Sequence, residues 1–138
     1  IKAQNLNIER ALGTNLFDVL MSEVSSGTVT TRMVTLLEDY IQPALVEWVT
    51  YSSLLYFNYK VTNKAVVKKS SDNSEASSLN EVNFLRQSVR DDAEYYTDRL
   101  VKFLCANEVT YPEYINGNIN DDDIIPRKQS FFGNIYLS

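Results

Sequence analysis

The sequence predicts a mainly α fold, a helical bundle built on a long antiparallel helix pair. Three observations carry this. Residues 43–59 and 79–106 each repeat apolar side chains at spacings of three and four over many turns, the period of a helix face. Ahead of them lie three shorter segments of the same period, separated by glycine, serine, threonine and proline signals. Between the two long stretches the period fails, in a run of lysines, serines and scattered valines.

In chain order, a first short helix is expected over 3–11, ended by Leu12-Gly13 because glycine readily takes the conformation past a helix end. Thr14 is then placed to cap a second helix over 15–24, with Leu16, Val19, Leu20 and Val24 on its apolar stripe. Ser25-Ser26-Gly27 reads as a turn. Thr30 or Thr31 caps a third helix over 32–41, with Met33, Leu36, Leu37 and Tyr40 facing inward. Pro43 biases Gln42 away from helical geometry, so a kink or brief break is expected at Ile41–Gln42.

Pro43 also suits the first position of the next helix, where its missing N–H would be unpaired anyway. Ile41, Leu45, Trp48, Ser52, Leu55 and Tyr59 share one face of it, Val49 and Tyr56 widen that face, and Leu54 and Phe57 lie off it. A helix apolar on more than one side is normally covered by several neighbours, so this one is expected at the centre of the fold. From Lys60 the pattern predicts a small extended or β excursion, in which Thr62-Asn63-Lys64 turns a hairpin and Ser70 to Ser78 forms a loop. Ser78 and Glu81 have capping-box spacing for the second long helix. On that helix Val82, Leu85, Val89, Ala93, Tyr96, Leu100 and Phe103 form a narrow regular stripe suited to antiparallel packing. Trp48, Leu55, Val89 and Tyr96 are the residues expected between the pair. Asn107 and Tyr111-Pro112 end the helix.

The organisation expected is a helical domain over 1–111 and a C-terminal arm over 112–138. From Pro112 onward the chain does not read as core: it has turn residues, the acidic triplet Asp121-Asp122-Asp123, and a terminal cluster of Phe131, Phe132, Ile135, Tyr136 and Leu137. Pro126 and Gly133 disfavour a continuous helix, so an extended arm is expected. It either folds back on its own bundle or docks on a neighbouring chain. Five exposed large apolar side chains would be a liability in a monomer, which favours docking.

Composition narrows the function. A chain of 138 residues, 44% hydrophobic and 22% charged, is that of a single globular domain with a real core. No apolar run reaches the roughly 20 residues of a membrane span, and no signal peptide is visible. Histidine is absent, which removes the commonest general base and metal ligand together. Cys105 is the only cysteine, so neither an internal disulfide nor a multi-cysteine zinc site is expected. The run from Asn116 to Asp121 resembles the start of a calcium loop but has Asp121 where glycine is required and Arg127 where glutamate is required. No catalytic residues, metal or cofactor are expected. The net charge of -5 disfavours a general nucleic-acid binder. Lys60, Lys64, Lys68 and Lys69 nonetheless cluster without acids, either as a solvated loop or as a contact for DNA phosphates or an acidic partner.

The chain resembles the small helical head–tail connector (adaptor, or neck-ring) proteins of tailed bacteriophages, the crAss-like type above all. The residues that carry the resemblance are IERALGTNLFDVL, LLEDYIQPALVEWVTYSSLLYFNYKVTNKAVV and EYYTDRLVKFLCANEVTYPEY. They span most of Ile8 to Tyr114, and their order and spacing match rather than any one catalytic motif. After the core helix such connectors commonly carry Asn-x-Gly, where this chain has Asn63-Lys64-Ala65. The resemblance implies a structural virion protein that forms a ring, usually of twelve copies, in the phage neck after assembly in the host cytoplasm. Such a ring joins the portal to further neck or tail proteins and lets the encapsidated DNA pass without sequence-specific binding. The partner-binding residues expected are Lys60, Lys64, Lys68, Lys69, Phe131, Phe132, Ile135, Tyr136 and Leu137. The competing expectation is a small helical protein-binding or regulatory module acting as a dimer.

Overall fold

The computed structural model describes residues 1–67, 79–115 and 122–126, with side chains throughout except at Leu55, 57–67 and Leu79. It is helical, and no strand occurs among the described residues. A π-turn, Gln4–Ile8, leads into α1 (Glu9–Leu12), followed by α2 (Thr14–Ser26) and α3 (Thr31–Leu36). A second π-turn, Leu37–Ile41, joins α3 to α4 (Gln42–Val67). After α5 (Leu79–Ala106) comes a single 3-10 turn, Pro112–Tyr114.

Each junction has a local cause. Gly13 sits at φ +78°, ψ 153°, a conformation open to glycine alone, and separates α1 from α2. Gly27 ends α2 in the left-handed region, its N–H donating to the Val24 carbonyl. At Ile41–Gln42 no break occurs. Gln42 is helical, at φ −58° and ψ −47°, and its N–H reaches back five residues to the Leu37 carbonyl. The wider turn solves the problem that Pro43 poses. In an α-helix the proline ring would collide with the carbonyl four residues earlier, that of Asp39, and one π-turn moves that carbonyl aside. The helix therefore continues from Thr31 to Val67.

The extended or β excursion expected from Lys60 is overturned over its first half. Residues 60–67, with Thr62-Asn63-Lys64 and Val61, Val66 and Val67, continue α4 as helix. No glycine or proline follows Pro43 before Val67, and the β-branched valines cost a helix only a few tenths of a kcal/mol each. Without the glycine of Asn-x-Gly, nothing in Asn63-Lys64-Ala65 stops it. Lys68 to Ser78, including the Ser78 cap, lie outside the described residues.

α4 and α5 run antiparallel. Tyr40, just before α4, stacks on Phe103 with ring centroids 3.9 Å apart. The Trp48 Nε1–H donates to the Thr97 hydroxyl at 2.9 Å, and the Arg86 guanidinium donates to the Tyr51 hydroxyl at 3.1 Å and stacks over its ring.

The core lies at one end of this hairpin. Ile8, Leu12, Leu16, Leu20, Met33 and Leu36 from the short helices close around Ile41, Ala44, Leu100 and Leu104. Two aromatic residues from beyond α5, Tyr111 and Tyr114, complete it. α4 is thus not the covered centre of the fold. No described side chain of α4 past Ala44, or of α5 before Ala93, is buried. Trp48, Val89 and Tyr96 are half-buried between the pair, and Leu85 is exposed; Leu55 lies outside the described side chains. The physical reason is that a two-helix hairpin can cover only the facing side of each helix, and the other short helices reach only its base.

The 1–111 boundary falls inside this core. Tyr114 is buried, and Tyr111 donates its hydroxyl to the Arg32 carbonyl at 2.8 Å. Tyr114 is core, against the expectation that the chain from Pro112 onward would not be.

Candidate functional site

The sequence-predicted site residues divide into two groups. Lys60 and Lys64 are one turn apart on the helical backbone of α4, on its distal half rather than on a hairpin loop. Lys68, Lys69, Phe131, Phe132, Ile135, Tyr136 and Leu137 lie outside the described residues.

What the structure presents is an uncovered helical hairpin. Among the described residues, Val46 is 60% exposed, Tyr56 64%, Phe84 79% and Tyr95 66%. Val49 and Leu85 are exposed beside them. Burial of such side chains is worth about 1.5–3 kcal/mol each, so each is apolar surface that a further contact would stabilise. Of these, Val49, Tyr56 and Leu85 fall on the apolar stripes that the sequence predicts as inward-facing, whereas Val46, Phe84 and Tyr95 lie off those stripes. The available signal was excess: α4 carries more apolar faces than one partner helix can cover.

The base of the hairpin carries the polar cross-links. The Arg32 guanidinium meets the Glu113 carboxylate in a two-pronged pair, at 2.8 and 2.6 Å, and donates to the Thr110 carbonyl at 2.9 Å. The bond from Arg32 holds the Glu113 carboxyl below the usual carboxylate range, and the same bond raises the guanidinium. Burial pushes the Tyr114 phenol well up, with Cys105 Sγ 3.9 Å from its hydroxyl. Burial likewise pushes the Asp98 carboxyl up, against the pull of Lys102.

A second feature is the strap 122–126. The Thr14 N–H donates to the Ile124 carbonyl at 3.0 Å, and the Ile124 N–H donates to the Thr14 hydroxyl at 2.8 Å. Thr14 does not cap α2, as the sequence suggested; its hydroxyl holds the strap and donates to the Glu9 carboxylate at 3.3 Å. A Cβ at Gly13 would stand 2.7 Å from Pro126 Cδ, so the glycine is needed for approach as well as for φ. The seam between strap and body has room for only about 50 Å³, against roughly 300–1,000 Å³ for small-molecule sites.

Among the described residues no cluster of three or more His, Cys, Asp or Glu could hold a metal ion. No described helix is long and apolar enough to cross a membrane.

These features define a helical domain whose uncovered hairpin is its main candidate for contact with other molecules. The chain belongs to the family of unknown function DUF6712, whose model matches residues 8–124. The match takes in the strap as far as Ile124. No curated protein and no solved structure matches the chain.

Proposed function

We propose that the protein is a structural subunit of a tailed-phage neck, assembling as a ring that joins the portal to further neck or tail proteins and extends the DNA channel. It acts by assembly rather than by catalysis, in the virion. The observation that carries this reading is the hairpin: Val46, Tyr56, Phe84 and Tyr95 are exposed on helix surfaces that the chain's own short helices leave uncovered. Such surface is a cost in a monomer and a contact in an assembly. The resemblance of IERALGTNLFDVL and the long-helix segments to head–tail connectors supplies the kind of assembly. Twelve copies would match the symmetry usual in such necks. An acidic balance of -5 suits a channel through which DNA slides without sticking.

The lysine cluster from Lys60 and the apolar cluster Phe131 to Leu137 are proposed as contacts to the portal or to the next ring. Electron microscopy and native mass spectrometry of the full chain, alone and mixed with candidate portal and tail proteins, test the reading. Rings, alone or on the portal, are expected. A monomer or dimer that binds neither portal nor tail protein at any concentration would overturn it and favour the regulatory module.

A further inference from the structure

The helix that runs unbroken from Thr31 to Val67 carries a second line of residues besides the one it turns toward α5. Trp48 and Tyr51 mark the α5 side, through their bonds to Thr97 and Arg86. Gln42, Val46, Val49, Ser53, Tyr56 and Lys60 follow one another at steps of four and three residues, and Lys64 lies one turn further. At about 100° per residue this line is turned away from Trp48 and Tyr51. Burial agrees, since Gln42, Val46, Val49 and Tyr56 are all exposed.

Charge divides this face into three parts. One wide turn before Gln42, Glu38 and Asp39 are exposed, and neither takes part in an ion pair among the described residues. Beyond Tyr56 the helical backbone of α4 places Lys60 and Lys64 on the line. Between Asp39 and Lys60 the only charged residue is Glu47, and it falls off the line. The middle is therefore uncharged and has small side chains. There the Thr50 hydroxyl donates to the Val46 carbonyl and the Ser53 hydroxyl to the Val49 carbonyl, each at 2.8 Å. Their donors are satisfied within the helix, so the middle needs no outside hydrogen-bond partner.

A face that is acidic at one end and basic at the other is complementary to itself in one orientation. Laid parallel, two copies would set acids against acids and lysines against lysines. Laid antiparallel about a twofold axis between Val49 and Thr50, Asp39 of one copy comes level with Lys60 of the other, because the two are about equally far from the axis along the helix. Glu38 falls between Lys60 and Lys64, and Val46 comes level with Ser53. A twofold contact satisfies both ends at once, since each residue meets on the partner the one that meets it.

We infer that two copies of the free chain pack the outer faces of α4 against each other, antiparallel. Val46, Val49, Thr50 and Ser53 lie at the centre, with Glu38 and Asp39 against Lys60 and Lys64 at both ends. The partner is a second copy of this chain. Neighbours in a cyclic ring meet head to tail, so this twofold contact is separate from the ring contacts proposed above and does not depend on them. Because it covers Val46 and Tyr56, the pair has to part before those residues can meet another subunit.

The test is sedimentation velocity and directed cross-linking of the full chain in a Cys105→Ser background. The free chain should sediment as a dimer that dissociates on dilution. Oxidised Val49→Cys should form a covalent dimer with itself, and Val46→Cys should form one with Ser53→Cys. Ser88→Cys, exposed on α5, should form none. Val49→Glu sets two like charges at the axis and should weaken the dimer roughly tenfold or more, with the helix content unchanged. Lys60→Glu should weaken it about two- to tenfold at low salt, and Asp39→Lys added to it should restore it. A free chain that is monomeric at every concentration, or that forms rings without the Val49 link, would overturn the inference. A dimer that neither links through Val49 nor responds to Lys60→Glu would overturn this surface. Rings on the portal bear on the neck reading alone: their absence would sink that reading and leave the dimer standing.

Discussion

The two ends of the α4–α5 hairpin are built from similar residues to opposite effect. At the base, Leu100, Leu104, Ile41 and Ala44 are sealed by four short helical segments and by Tyr111 and Tyr114. In the distal half, Tyr56, Phe84 and Leu85 have the same apolar character and are exposed. Hydrophobicity along a helix therefore says that a face is to be covered but not by what. At the base the cover is the chain itself. In the distal half it is, on the reading proposed here, another molecule.

The comparison is sharpest in the stability of point variants. Leu16→Ala or Leu100→Ala should cost about 2–5 kcal/mol, since each leaves a void among fully buried neighbours. Chemical denaturation of the monomeric chain reads this directly. A loss below about 1 kcal/mol at either position would mean that the base is not the core.

Next in size is Gly13→Ala. The new Cβ meets Pro126 at 2.7 Å and the backbone keeps a φ of +78°. The expected cost is about 1–3 kcal/mol. Pro126→Ala in the same chain should recover the part due to collision and not the part due to φ, so a double-mutant cycle separates the two. Full additivity would show that the strap does not lie on Gly13.

Removing the Arg32–Glu113 pair through Glu113→Gln should cost about 1–3 kcal/mol at neutral pH, and it carries a signature in pH. Glu113 titrates lower in the folded chain than its ordinary 4.5. Its stabilisation is therefore present above the unfolded value and is lost as pH falls through the folded one. Denaturation midpoints measured from neutral pH down into the acid range should lose this contribution in the wild type and lack it in Glu113→Gln. Parallel curves for the two proteins would exclude the pair as a source of acid sensitivity.

Midway up the hairpin, Thr97→Val removes the acceptor for the Trp48 indole N–H, at an expected cost of about 0.5–1.5 kcal/mol. Trp48 is half-buried, so Trp48→Ala should fall below the roughly 3–5 kcal/mol of a fully buried tryptophan. The smallest effect belongs to the distal face. Phe84→Ala should change stability by no more than about 0.5 kcal/mol. A large loss there would break the contrast between the two ends.

Much of this was decided by the sequence alone. The long second helix and its end at Ala106 were legible, because its period never falters and Asn107 and Pro112 stop it. Gly13 and Gly27 marked their junctions, since a positive φ leaves few alternatives to glycine. Met33, Leu36, Leu16 and Leu20 were legible as inward-facing from spacing alone. Tertiary structure decided the rest. Pro43 predicts a kink or brief break because the sequence shows what proline forbids locally and not the π-turn that keeps the helix unbroken. Val61, Val66 and Val67 stay helical because nothing in the chain ends α4 before them. Tyr114 is core because the pair between Arg32 and Glu113 brings residues distant in sequence together, which no local pattern records. Tyr56 and Leu85 share the period of inward-facing positions and are exposed. Periodicity measures how apolar a face is, whereas burial depends on which other segments are long enough to reach it.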